Sequence, residues 1–279
     1  MYLRLGGGNV EAFVNHKQED PSFRIDRWMD KFDGLSVGFT SRLGGVSQQP
    51  MDSLNCALHV GDRIEDVISN RRLLAAHAGF AFDAWTCAEQ VHGNLIRKVS
   101  KHDKGAGKYS RDQAIQDTDA LISNEIGVML TAFFADCVPL YFIDPVHRAI
   151  GLAHAGWKGT ALHMAERTIE AMYREFGSRP TDMLAAIGPS IGVCCYEVNN
   201  MVIEQLDGER PAKQDNGRYM LDLKETNRQF MIRAGILPTN IEISEWCTSC
   251  NTDLFYSHRA ENGQTGRMTA WIGWKAEVT

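Results

Sequence analysis

No stretch of this sequence is rich in Lys and Arg, and none is apolar for long enough to cross a bilayer. The first absence argues against a nucleic-acid partner, because phosphate-driven binding rests on a dense basic face. The charge balance agrees: 29 Lys and Arg stand against 35 Asp and Glu, a net −6. The second absence argues against a helical membrane anchor. The opening MYLRLGGGNVEAFV also lacks the charged n-region and apolar core of a secretion signal. A cytoplasmic protein is therefore expected. Cysteine is sparse and odd in number, seven in 279 residues, which excludes a disulfide scaffold and leaves reduced thiols as the default, some of them free to act as ligands. Also missing are a Pro/Gly/Ser-rich linker, an internal repeat and any low-complexity tract. With 44% hydrophobic and 23% charged residues, one interleaved α/β unit with a sizeable core is the simplest reading.

What is present is a succession of short apolar runs and amphipathic stretches. VGFTSR (37–42) alternates and ends in LGG, as a strand entering a turn does. IEDVISNRRLLAAHAG has helical spacing, with Gly79 placed as a C-terminal cap. WTCAEQVHG (85–93) reads as a strand stopping at a glycine, and KHDKGAGKYSRDQ (101–113) as the most mobile loop. VMLTAFFA, VPLYFID and AIGLAHAG read as buried central strands. GTALHMAERTIEAMYREFG carries Leu162, Ala165, Ile169, Met172 and Phe176 on one helical face. MLAAIG, IEISEWC and MTAWIGW are further strands, and LDLKETNRQFMIRAG a further helix.

Three residues at the ends of such runs stand out: His92 in QVHG, Cys137 in ADCVP and His154 in AHAGW. A rigid sheet presents reactive groups at its strand ends, and the glycines after both histidines leave room for a ligand. Two imidazoles and a thiolate suit zinc with an open fourth position, the arrangement of catalytic zinc. Their spacing matches no short motif, however, and a lone Cys in an apolar strand is commonly a small core residue. Both readings stand on the pattern alone.

The strings GFTSRLGGVS, SLNCALHVGD, NRRLL, QVHG, TDALIS, ADCVPLYFIDP, AIGLAHAGWKGTA, AIGPSIGVCCYEV and TGRMTAWIG occur in this order over residues 38–273. Together they closely resemble the laccase-domain family, whose members have been labelled multicopper polyphenol oxidase, peptidoglycan editing factor and purine nucleoside phosphorylase. The resemblance implies an α+β fold, a single domain with a mixed β-sandwich core of parallel and antiparallel strands flanked by helices. Residues 1–36 would be an N-terminal extension packing on a laccase-type zinc-binding domain of residues 37–279. It further implies that His92, Cys137 and His154 bind zinc and carry catalysis. The implied substrates are adenosine, inosine, guanosine and methylthioadenosine, with no obligate protein partner. Copper is disfavoured, because a multicopper oxidase needs a blue-copper site plus a cluster of many more histidines, and nine histidines without an H-x-H pair do not supply one.

Zinc acidifies a bound water, which fits removal of the adenosine amino group. The cytidine-deaminase signatures H-x-E and P-C-x-x-C are absent. Phosphorolysis instead needs a phosphate held by cationic and amide donors. The candidates are Lys158, four residues past His154, together with Arg71, Asn55 and Arg42; the family pattern supports Asn55 and Arg71. Each has a plain alternative: a solvated charge for Arg71 and Arg42, a turn former for Asn55. Cys56 and His59 could line the site. CTSC (247–250) is a single C-x-x-C, which excludes a zinc ribbon and favours incidental thiols, and Cys194 and Cys195 are expected to pack. Two rival functions remain: a cysteine hydrolase of peptidoglycan precursors using Cys137 and His154, and a non-enzymatic protein whose zinc holds the fold.

Overall fold

The computed structural model describes residues 11–16, 20–208 and 210–276. In chain order these form strands β1 (Ser22–Arg24), β2 (Leu35–Thr40), β3 (Trp85–Cys87), β4 (Ile96–Lys98), β5 (Ala120–Ser123), β6 (Met129–Phe134), β7 (Val138–Asp144), β8 (Ala149–Ala155), β9 (Leu184–Ile187), β10 (Glu197–Val198), β11 (Tyr219–Met220), β12 (Ile241–Ile243) and β13 (Met268–Trp274). The helices are α1 (Asp26–Lys31), α2 (Ile64–His77), α3 (Trp157–Ala161), α4 (Met164–Phe176), α5 (Asn200–Ile203) and α6 (Leu223–Arg233).

Strands β1-β2-β13-β6-β3 make one sheet and β12-β9-β7-β8-β5-β4 another. Both mix parallel pairs (β3 with β6, β4 with β5, β9 with β12) with antiparallel ones. The three central runs are apolar throughout because both of their faces are covered. On β7, Tyr141 and Ile143 join Phe39, Leu130, Phe134 and Ile272 in the core between the sheets. Its alternate residues Val138, Leu140 and Phe142 pack instead with Met172 of α4 and Phe230 and Met231 of α6. The outer face of the first sheet buries Met129, Phe133 and Trp271 against Leu74 and Ala75 of α2. The result is a mixed β-sandwich with helices on both outer faces. The described residues before 37 are built into it: β1 pairs with β2, and Phe13, Phe23, Ile25 and Trp28 are buried in the central core. No helix among the described residues is long and apolar enough to cross a membrane.

Three local expectations are corrected. The strand expected over 85–93 ends at Cys87, so His92 is not at a strand end. The helix expected over 159–177 is two helices, α3 and α4, separated at Leu162 and His163; His163 has φ 60°, and Leu162, assigned to the apolar face, is 43% exposed. The loop at 101–113 is anchored, by a capping box between Ser100 and Asp103 and by Arg71, which donates to the Gly107 and Lys108 carbonyls.

Candidate metal centre

Sheet register brings two of the three candidate ligands together. Cys137 immediately precedes β7, and β7 pairs antiparallel with β8 so that Pro139 lies opposite His154. Strand β5 flanks β8 on its other side, with Ala120 opposite Ala153, which sets Asp119 beside His154. The His154 amide donates to the Asp119 carbonyl at 2.8 Å, and His154 Nδ1 bonds Asp119 Oδ1 at 2.9 Å. The same carboxylate accepts the backbone amides of Val91, His92 and Gly93 at 3.2, 3.0 and 2.7 Å. One buried side chain therefore orients the His154 ring and pins the segment that carries His92. That anchoring supports the left-handed φ of 59° at His92, a conformation disfavoured for a residue with a Cβ.

Cys137 is presented in the same way by its neighbour. Asp136, at φ 80°, accepts Thr248 Oγ1 at 2.7 Å, Ser257 Oγ at 3.1 Å and the Arg259 amide at 2.7 Å. Gly156 lies against the sulfur: a Cβ there would stand 2.8 Å from Cys137 Sγ, so only glycine fits without movement.

One ligand atom from each of His92, Cys137 and His154 lies within 4.8 Å of the other two, and the two imidazole rings are 4.7 Å apart, edge to face. Zinc bonds of about 2.0–2.3 Å demand edges of roughly 3.3–3.8 Å in a tetrahedron, so the set closes on an ion with small side-chain movements. With Nδ1 committed to Asp119, His154 offers Nε2, the carboxylate–histidine–metal arrangement that fixes a ligand's tautomer. Burial by itself raises the Cys137 thiol, but the charge and hydrogen bond of His154, then His92, bring it down to about 6. Burial likewise lowers His154, and the Cys137 thiolate and Asp119 reverse this, raising it to about 9. Burial would also raise Asp119, yet its bond to His154 and the backbone amides keep it below the ordinary carboxylate value. A thiolate held against an imidazolium is the charge pattern that a divalent cation replaces on binding.

Residues 36–275 match the family described as multi-copper polyphenol oxidoreductase laccase. The chain is 44% identical over 255 residues to purine nucleoside phosphorylase YlmD of Geobacillus stearothermophilus, covering 89% of this chain and 93% of that protein. It is 41% identical over 245 residues to YlmD of Bacillus subtilis, covering 86% and 88%. The crystal structure of the Geobacillus stearothermophilus YlmD superposes with a TM-score of 0.90 at 41% identity, over 95% of this chain and 100% of that one. Bacillus licheniformis YfiH superposes at 0.87, also at 41% identity, over 93% and 98%. The chain belongs to this laccase-type family.

In this laccase-family chain the expected anion-binding residues have other occupations. Arg71 is 2% exposed; its Nε donates to the Cys56 carbonyl at 2.7 Å, its Nη1 to those of Gly107 and Lys108, and its guanidinium lies over the Trp85 and Phe133 rings. Asn55 is wholly buried, donating to the Ala57 carbonyl and Asp62 and accepting the Ala57 and Arg267 amides. Arg42 bonds the Asp52 and Thr252 carbonyls and Glu261. It lines a cleft of about 440 Å³ that also holds Asp52, Asp253 and Glu261, a poor setting for an anion, and no candidate metal ligand lines that cleft. Lys158 is exposed, with its ammonium over the Trp157 ring.

The roles of Asp119, Asp136, Arg267 and Tyr196 were not read from the sequence, whereas His59 was already a candidate to line the site. Asp119 and Asp136 lay in quoted strings, TDALIS and ADCVP, but their roles depend on partners far along the chain. Arg267, in TGRMTAWIG, is near enough to Cys137 and Asp136 to feel their charges, and Asn55 holds its backbone amide at 3.0 Å. His59 is exposed, so burial holds its ring below the ordinary imidazole value less firmly than a core position would, with the Arg267 and Arg111 cations acting in the same direction. Tyr196 is raised by burial and by the Cys137 charge, which keeps its phenol protonated. Arg259 stacks over it at 5.2 Å.

Proposed function

We propose that this chain is a zinc-dependent purine nucleoside phosphorylase that cleaves adenosine, inosine, guanosine and methylthioadenosine and also deaminates adenosine. The observation that carries the reading is the three-ligand group of His92, Cys137 and His154, which has no fourth protein ligand among the described residues and so leaves a position for water or substrate. The relatives named purine nucleoside phosphorylase at 44% and 41% identity support the substrate class. Zinc fits the donor set better than copper, because a multicopper oxidase needs a large histidine cluster, whereas the metal-competent groups among the described residues contain two histidines in all. The free cysteines accord with a reducing, cytoplasmic setting.

When bound, zinc supplies a Lewis acid that polarises a substrate oxygen or acidifies a water. Asp119 keeps His154 in the tautomer that leaves Nε2 free, and Asp136 fixes the turn that aims Cys137. Arg267, which feels the Cys137 charge and whose Nη1 donates to the Thr265 and Gly266 carbonyls, supplies positive charge for the phosphate through its remaining donors, assisted by the exposed ammonium of Lys158. Neutral His59 and protonated Tyr196 offer hydrogen bonds to a purine or ribose without adding charge. Arg71 and Asn55 act on the site by holding its walls.

One observation favours a second reading. Cys137, His154 and Asp119 form a thiolate–imidazole–carboxylate series, the constellation of a cysteine hydrolase. Product analysis by mass spectrometry, on metal-defined protein incubated with each nucleoside, separates the readings. The proposal expects free base and the sugar 1-phosphate (ribose 1-phosphate, or methylthioribose 1-phosphate from methylthioadenosine) only when phosphate is present, and inosine from adenosine in its absence. No nucleoside product from zinc-loaded protein, with turnover of a peptidoglycan precursor by metal-free protein, would establish the hydrolase.

A further inference from the structure

A second group of potential ligands lies apart from the first. The Sγ atoms of Cys194, Cys195, Cys247 and Cys250 all lie within 4.8 Å of one another. Cys250 Sγ is 3.5 Å from that of Cys194 and 3.3 Å from that of Cys195. These separations are well beyond the roughly 2.05 Å of a disulfide and close to the edge of about 3.8 Å that four sulfurs take around zinc at 2.3 Å. The sequence concealed the group, because the CTSC pair has no second C-x-x-C; its complement is the adjacent pair in VCC.

The fold brings the two turns together by a parallel bridge between Ser190 and Cys247, with the Thr248 amide on the Ser190 carbonyl at 3.0 Å. The Gly192 amide donates to Cys247 Sγ at 3.2 Å, a bond that favours thiolate and steadies a metal-bound sulfur. A Cβ at Gly192 would sit 3.2 Å from both Cys194 Sγ and Cys247 Cβ, so glycine leaves the sulfurs their space. The buried Lys224 ammonium, on the Ser244 and Trp246 carbonyls at 2.7 Å, interacts electrostatically with Cys247 and offsets the negative charge of a tetrathiolate.

We propose that Cys194, Cys195, Cys247 and Cys250 bind a second, structural zinc ion. Binding releases four thiol protons and leaves the metal closed to substrate, since all four tetrahedral positions are filled. The site ties the 190–196 turn to the 247–250 turn, and both reach the first centre: Ile191 donates to the Asp136 carbonyl, Thr248 to its carboxylate, and Arg259 bridges that carboxylate to the Cys195 carbonyl. Its role is to hold the turn that presents Cys137.

The test is elemental analysis and cobalt spectroscopy on the full chain purified under reductant. Wild type is expected to hold about two zinc ions per chain and the double variant His92→Ala/Cys137→Ala about one. The double variant, reloaded with cobalt, should show the intense thiolate-to-metal bands of a four-sulfur tetrahedral site. Cys250→Ser should lower the wild-type content by about one ion; if that variant does not fold, the double variant still decides. A double variant without metal, its four thiols reacting at once with an alkylator or found as disulfides by mass spectrometry, would overturn the assignment, as would iron in place of zinc. Failure of the first centre alone gives a different result: wild type and double variant would hold the same single ion.

Discussion

Asp119→Asn is the sharpest perturbation of the centre, because it is nearly isosteric and removes only charge and acceptors. The carboxylate receives four donors, His154 Nδ1 and the amides of Val91, His92 and Gly93. An asparagine keeps one acceptor oxygen and turns an NH₂ toward the others, so two of these bonds are lost or reversed. At about 1.5–3 kcal/mol for each bond to a charged group, the loss is about 3–6 kcal/mol, a large part of a domain's stability. If the NH₂ faces His154, it also favours the wrong ring tautomer, and loss of such a supporting carboxylate weakens metal binding about 10–100-fold. The assay is zinc affinity by competition with a chromophoric chelator, read beside the urea midpoint of metal-free protein. Both should fall, and added zinc should recover part of the stability. Unchanged affinity in a folded variant would refute the claim that Asp119 sets the His154 tautomer.

Three further outcomes are expected. His92→Ala should abolish nucleoside turnover as completely as Cys137→Ala, and a chelator should inactivate wild type until zinc is restored; chelator-resistant activity with rapid loss on alkylation would instead identify a thiol enzyme. Arg71→Ala should act through stability, losing three carbonyl bonds and a stacked cation at a cost of about 3–5 kcal/mol, with the KM for phosphate little changed in whatever remains folded; a raised phosphate KM at wild-type stability would return Arg71 to the anion site. In metal-free protein the ultraviolet absorbance of the Cys137 thiolate should grow in as pH rises through about 6 rather than the ordinary 9.0. The signs oppose here: the depressed thiol adds stability as pH rises from about 6 to its unfolded value, while the raised His154 loses its contribution between 6.5 and about 9. Native and unfolded states then bind nearly equal numbers of protons, so this pair leaves stability flat across that window, and a steep slope abolished by Cys137→Ala would contradict the thiolate–imidazolium assignment.

Much of the fold is legible from pattern. The runs that became β6, β7 and β8 are apolar on both faces because each lies between two hydrophobic layers, and such runs announce themselves without knowledge of their partners. Helix α2 and Gly79, at φ 79° just past its end, follow from spacing and cap chemistry. The break between α3 and α4 was invisible, since Leu162 continues the apolar period although the chain turns before it can be buried. His92 misled in the opposite way: QVHG reads as the end of a strand, but its position is set by the Asp119 carboxylate rather than by a ladder.

The sequence by itself determined the types of group available, the places of the long buried strands and the identity of His92, Cys137 and His154 as a set worth testing, because hydrophobic period and residue chemistry are local properties. Only the tertiary structure decided what each polar side chain is paired with. Arg71 and Asn55 have hydrogen bonds claimed by carbonyls and amides of other segments, pairings that nothing local to either residue announces. Asp119 became the organiser of the centre when β5 came to lie beside β8. Four cysteines dismissed separately became one group when the Ser190 and Cys247 turns met. A hydrogen bond or a ligand set depends on distances of about 3 Å between residues far apart in the chain, and no periodicity along the chain encodes those distances.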